Sequence, residues 1–203
     1  MLKIKSENWP NSYKVLKNNF FFHFNDFSLV PIRLEDRFEI MKWRNEQIFH
    51  LRQSEPLSKE RQEKYFKEVV FNLFEEENPK QILFSLITKK TCIGYGGLVN
   101  INWIDKNAEI SFVMNTELEK NYFQKYWRIF LNLIEEVAFN DLQLHKLYVY
   151  AFDLRPHLYK ALKNSKYKED ARLNEHCFFN DNFVDVVIYY KINNNNANSN
   201  INR

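Results

Sequence analysis

The stretch that decides the fold is Cys92-Ile-Gly-Tyr-Gly-Gly-Leu-Val-Asn-Ile-Asn-Trp103, followed after a polar turn at Asp105-Lys-Asn107 by Ala108-Glu-Ile-Ser-Phe-Val-Met114. Both runs are rich in aliphatic and aromatic residues and are bounded by turn formers, so they read as two antiparallel strands. Upstream, Gln81–Thr88 reads as a third strand joined through Lys89-Lys90. Downstream, Phe123, Tyr126, Trp127, Phe130, Leu131, Ile134, Val137 and Ala138 recur at three- and four-residue intervals, the pattern of an amphipathic core helix. Lys146–Phe152 is a continuous apolar run of strand length, which fits a central strand buried on both faces.

Working outward, Val30–Leu34 reads as a short strand, and Glu35–Phe49 and Ser58–Glu77 read as helices. A short helix is expected from Pro156 to Lys163, and two last strands flank Asn180-Asp-Asn182, the second ending over Val184–Ile192. The order is strand, two helices, three antiparallel strands, helix, strand, helix, two strands. That is a mixed α+β (α/β mixed) domain over residues 29–192. Residues 1–28 form an N-terminal extension whose Phe-rich part, Asn19–Phe27, is expected as an edge strand or packed arm. Residues 193–203 hold seven asparagines and almost nothing apolar, the composition of a disordered tail.

A chain of 203 residues can bury about 70% of its unfolded surface, so neither disulfides nor metals are needed to hold it. Hydrophobic residues at 45% and charged residues at 27% exclude general disorder. A net charge of +3 without a basic stripe argues against nucleic acid. No apolar run reaches the roughly eighteen residues of a membrane span, and the start lacks a signal-peptide pattern. A cytoplasmic protein is expected, with Cys92 and Cys177 as reduced thiols. Five histidines show no ligand spacing, so no metal is expected. Only three glycines are present, which leaves few for loops that hug phosphates.

In this order the chain resembles the GNAT-superfamily N-acetyltransferases, and most nearly the branch of ribosomal-protein N-terminal and amino-sugar acetyltransferases. Val30-Pro-Ile-Arg-Leu-Glu-Asp36 is similar to the opening strand and helix entry, and Met41-Lys-Trp-Arg-Asn-Glu46 to the Trp-Arg-Asn word of sugar-acetylating members. Ile93–Leu98 with Ala108–Phe112 resembles the third and fourth strands. Leu144–Tyr148, Leu158-Tyr159 and Phe183–Val186 resemble the later strands and the helix between them. The resemblance implies a mostly antiparallel sheet splayed between its fourth and fifth strands, with helices on both faces and acetyl-CoA in the opening.

It also implies residue roles. Phe112, Val113 and Met114 would meet the pantetheine arm. Gln124, Lys125, Tyr126, Trp127 and Arg128 stand where members carry a glycine-containing pyrophosphate loop, after a loop spanning Asn115–Asn121. Lys125, Arg128 and Gln124 are read either as substitutes for the missing glycines or as a solvated helix start. Tyr126 and Trp127 are read as cofactor neighbours or as core. Asp153 stands where an Asn commonly bonds the cofactor arm. Glu109 is read as the base that deprotonates the amine or as a strand-edge ion pair, and Tyr159 as the acid toward the leaving thiolate or an aromatic covering the sheet. Trp43, Arg44, Asn45, Arg52 and Gln53 would wall the acceptor pocket, with Trp103 offering a flat face. Trp43 is equally read as core, and the arginines as partners of Glu46 and Glu55. The implied function is transfer of acetyl to a primary amine, first of a nucleotide-linked amino sugar. The alternatives are a protein N-terminus, a polyamine, or a non-catalytic binding module. The expected partners are a small amine acceptor and at most a second copy of the chain as a homodimer.

Overall fold

A computed structural model describes residues 8–17, 21–51 and 53–194. The strands are β1 (Phe22–Phe24), β2 (Phe27–Pro31), β3 (Ile82–Thr88), β4 (Thr91–Asn102), β5 (Asn107–Met114), β6 (Lys146–Phe152), β7 (Lys168–Phe179) and β8 (Asn182–Ile192). They form one sheet in the order β1-β2-β3-β4-β5-β6-β8-β7, antiparallel except for the β5–β6 pair. The helices are α1 (Arg37–Glu46), α2 (Lys59–Tyr65), which continues through a π-turn at Phe66–Val70 into α3 (Phe71–Leu73), α4 (Thr116–Glu135), extended by a π segment at Glu136–Asp141, and α5 (Pro156–Asn164).

The hairpin turns form without glycine. Lys89 and Lys90 both take positive φ (48° and 68°), as do Asn180 and Asp181 (47° and 60°), the signature of a two-residue turn matched to strand twist. A side chain in that conformation costs roughly 1–2 kcal/mol. Lys90→Gly is therefore expected to stabilise the fold by about 1 kcal/mol in urea unfolding, and a loss of stability would show that the Lys90 side chain has a role of its own.

All three glycines lie in β4, where close approach demands them. A Cβ on Gly97 would stand 1.9 Å from the Ile82 carbonyl oxygen, and one on Gly96 2.1 Å from that of Ser111. No glycine is left for a phosphate loop.

Residues 8–17, before β1, pack against the core. The Tyr13 hydroxyl donates to the Leu83 carbonyl (2.8 Å) and accepts from the Leu83 amide (3.1 Å), and its ring stacks on Phe74 at 4.1 Å. The Trp9 indole donates to the Ile32 carbonyl. The Phe-rich stretch becomes the β1–β2 hairpin at the sheet edge. At the other end the ordered chain runs past the expected boundary. Asn193 is buried and its amide donates to the carbonyls of Phe139 and Leu144, and the rest of the expected tail from residue 195 lies outside the described residues.

Candidate active site

The parallel β5–β6 pairing covers only Asn107–Glu109 against Lys146–Tyr148. Beyond it β5 stays with β4 and β6 with β8, so the two strands part and leave a wedge. Strand alternation decides which backbone groups face it. Asn115 donates its amide to Ile93 on the β4 side, so the amides and carbonyls of Phe112 and Met114 turn to the wedge and those of Val113 turn to β4. Met114 is already engaged, its carbonyl accepting from Gln47 Nε2 at 2.7 Å. That leaves the Phe112 backbone and the Met114 amide for a ligand.

The wedge holds a cavity of about 190 Å³, lined among others by Arg44, His50, Glu109, Phe112, Trp127 and Arg155. Its size suits the end of a chain-like ligand rather than a whole cofactor. Glu109 sits at the closed end, 4% exposed, and Glu109 Oε2 accepts from Asn100 Nδ2 at 2.8 Å. A bulge in β4 with Asn100 at φ 50° aims that amide at the carboxylate. Trp127 is buried against Phe112, and its Nε1 has no partner among the described residues. Its ring forms part of the cavity wall.

Across the cavity, Arg44 Nη1 donates to the Tyr95 hydroxyl (2.7 Å) and Nε to Gln53 Oε1 (3.0 Å). Gln53 donates in turn to Asn45, which pairs with both backbone groups of Leu57. Arg44, Asn45 and Gln53 thus come together, and Asn45 staples the loop after α1. Arg44 forms no pair with Glu46 or Glu55; Lys42 and Arg61 take those carboxylates. Trp43 is core, 1% exposed. Trp103 lies away from the cavity lining, with its indole donating to the Pro79 carbonyl, so the flat acceptor face expected of it is not formed there. Arg52 lies outside the described residues.

The helix entry differs from the sequence expectation. Asn115 caps α4, its side-chain oxygen accepting from the Glu117 amide at 3.0 Å, so the helix starts at Thr116 and no loop spans Asn115–Asn121. Gln124–Arg128 are helix interior, where the backbone amides are bonded to the preceding turn and cannot cradle a phosphate. Tyr126 is core. The Asn-Thr-Glu cap is a signal the sequence carries.

The first turn of α4 is acidic, with Glu117 and Glu119, and positive charge comes from Arg155, which ordinary motif reading passes over. Arg155 is 6% exposed, bonds Glu119 at 2.7 Å, stacks on Phe123 and places Nη1 2.7 Å from His50 Nε2. Burial first, then the Arg155 charge, pushes the His50 imidazole down to about 3, so it is neutral at working pH. A neutral His50 contributes stability in full above its unfolded value near 6.5, and that contribution is lost as pH falls toward 3. Stability is expected to drop by up to about 1.4 kcal/mol per pH unit between roughly pH 6 and 4. Burial raises Glu119, which works in the opposite sense just above its own ordinary range. His50→Gln should flatten the profile in urea unfolding, and parallel losses in both proteins would place the titration elsewhere.

Tyr159 does not line the cavity, although its neighbour Leu158 does. Its hydroxyl donates to Asp153 at 2.7 Å, and burial followed by Asp153 raises the phenol above its ordinary value. Asp153 also pairs with Arg172.

The wedge fits the pantetheine arm of acetyl-CoA. The turned-in Phe112 backbone would hold it beside the Trp127 ring, with Arg155 as the cation toward the phosphates. Among the described residues no group of three His, Cys, Asp or Glu is placed to hold a metal, and no helix is long and apolar enough to cross a membrane.

Comparison with known proteins agrees with this geometry. A family profile described as an acetyltransferase (GNAT) domain matches residues 29–188. A spermidine N(1)-acetyltransferase of Vibrio cholerae is 25% identical over 123 residues, covering 61% of this chain and 69% of the relative. The crystal structure of Vibrio cholerae spermidine N-acetyltransferase with CoA and spermine superposes with a TM-score of 0.73 at 20% identity, over 84% of this chain and 97% of that one. A dodecameric structure of the Vibrio cholerae enzyme gives 0.71 at 21% identity, over 87% and 99%. These relatives are named as polyamine acetyltransferases, and they do not single out the ribosomal-protein and amino-sugar branch that the sequence resembles. With its wedge, its buried carboxylate and a family match across nearly the whole sheet, the chain belongs to the GNAT acetyltransferases and is an N-acetyltransferase that uses acetyl-CoA as co-substrate to modify a small-molecule amine.

Proposed function

We propose that the acceptor is an aliphatic amine of the polyamine class and that Glu109 is the base. The observation that carries this reading is the buried Glu109 carboxylate at the closed end of the wedge, where an ammonium would be bound and deprotonated. The named activity of the relatives supports the acceptor class. Acetyl-CoA supplies the activated acetyl group. Glu109 accepts the amine proton, directly or through one water, while the Phe112 backbone and Trp127 fix the acyl end. Tyr159 is the proposed acid at the departing sulfur; burial and Asp153 keep its phenol protonated, and Asp153 must release the hydroxyl for it to act. Tyr159→Phe should lower kcat about tenfold with unchanged acetyl-CoA affinity, and parent turnover removes it as the acid.

A second reading rests on Arg44. Its guanidinium lines the same cavity and would repel a polycation but suit an acceptor bearing an anionic or hydroxyl-rich group, such as the amino sugar expected from sequence. One assay separates the two: initial rates of acetyl-CoA consumption with spermidine, spermine and a nucleotide-linked amino sugar. Saturable turnover of spermidine at least tenfold above the sugar supports the polyamine; the reverse preference, abolished in Arg44→Ala, supports the second reading.

A further inference from the structure

Gln47 does not line the cavity, yet it joins the two sides of the wedge. It follows α1 directly and is 1% exposed. Its Nε2 donates to the Met114 carbonyl at 2.7 Å and to the Thr116 hydroxyl at 3.0 Å, and its Oε1 lies 3.2 Å from His50 Nε2. One buried amide thus links the last residue of β5, the first of α4 and the turn after α1. A carbonyl such as that of Met114 can only accept, and this fixes which end of the Gln47 amide is the nitrogen.

The same reasoning reaches His50. Its ring is neutral, so it carries a single N–H. Two neighbours compete for Nε2: Gln47 Oε1 needs a proton there, whereas Arg155 Nη1, at 2.7 Å, brings one. Nδ1 lies 3.1 Å from the same Nη1 and can accept from the arginine instead. Both neighbours are satisfied only with the ring proton on Nε2.

The two sides of the wedge are not held alike. β5 is fixed by its ladder to β4 from Gly94 to Asn102. The short turn Ile48–His50 belongs to no strand, and with Leu51 it supplies two residues of the cavity wall. We infer that Gln47 is a positioning residue for the acceptor: it fixes the turn carrying His50 and Leu51 against β5 and holds the His50 proton on Nε2. This rests on the reading that the amine enters between that turn and Glu109. Without the Gln47 amide, β5 stays in its ladder and the turn comes loose. The acceptor side then loses its shape while the cofactor strand keeps its own.

The test is Gln47→Met, which keeps the length of the side chain and removes its donors and its acceptor. Initial rates are measured below the unfolding transition with spermidine, or with the nucleotide-linked amino sugar where the parent turns that over instead. The acceptor KM is expected to rise about tenfold, the weight of one positioned hydrogen bond, with kcat and the acetyl-CoA KM within about twofold of the parent. A variant that only folds less well has fewer active molecules, so its apparent kcat falls and both KM values stay put. That pattern, or an equal rise in the acetyl-CoA KM, overturns the inference. Nitrogen-15 spectra of histidine-labelled protein read the tautomer, with the His50 signals assigned by their loss in His50→Gln. The proton is expected on Nε2 in the parent and on Nδ1 in Gln47→Met, where Arg155 keeps Nε2. A proton on Nδ1 in the parent overturns the inference whether or not the variant folds. A parent that acetylates neither amine counts against the acceptor reading alone, since the spectra still decide whether Gln47 holds His50.

Discussion

Replacing Glu109 with Gln is expected to lower kcat by about a hundredfold or more near neutral pH while leaving acetyl-CoA affinity within twofold. The amide has the shape of the carboxylate and still accepts from Asn100 Nδ2, so the fold should keep its stability to within about 1 kcal/mol. What it loses is the capacity to take a proton. The rate profile is therefore the decisive readout. The profile of kcat/KM against pH in the variant should differ from that of the parent. A variant with the parent's profile would mean that the amine loses its proton to another group or to bulk water. Asn100→Ala leaves the carboxylate in place and removes the donor that aims it, so a smaller loss, about tenfold, is expected there.

The sequence carries the fold more fully than it carries the site. The apolar run Lys146–Phe152 becomes β6 with the same bounds, but its buried residues, Leu147 and Val149, alternate with half-buried ones, so one face is covered and not both as expected. The interior of α4 is legible because each buried residue repeats at the helical period. Its start is marked only by the Asn115-Thr-Glu117 cap, one side-chain bond with no periodicity around it, and is easily passed over. That displacement carried Gln124–Arg128 from an expected phosphate loop into the helix interior. Glu109 is placed by its strand register, which a local pattern can carry. Arg155 is not, because its partners lie 36 residues away in Glu119 and 105 away in His50. Only the folded chain brings the three together at the mouth of the wedge.

Arg155→Ala should then produce two separable losses. Glu119, 20% exposed at its side chain, would keep its burial and lose its partner, the situation in which breaking a buried pair costs about 3–5 kcal/mol. Burial already raises the Glu119 carboxyl against the pull of Arg155, so removing the arginine raises it further. The folded state then takes up a proton more readily than the unfolded one, and the deficit should shrink as pH falls from 7 toward 5. A loss that is constant across that range would exclude an unpaired carboxylate as its cause. The second loss concerns acetyl-CoA, whose KM should rise about tenfold or more if Arg155 is the cation facing the phosphates. Adding Glu119→Gln distinguishes the two. The double variant has no buried charge left uncompensated and should recover most of the stability, whereas the KM should stay high because no cation has been restored. Recovery of both would make Arg155 a structural partner of Glu119 alone. Recovery of stability without KM would assign the phosphate contact to a single buried arginine in a fold whose glycines are all taken up by β4.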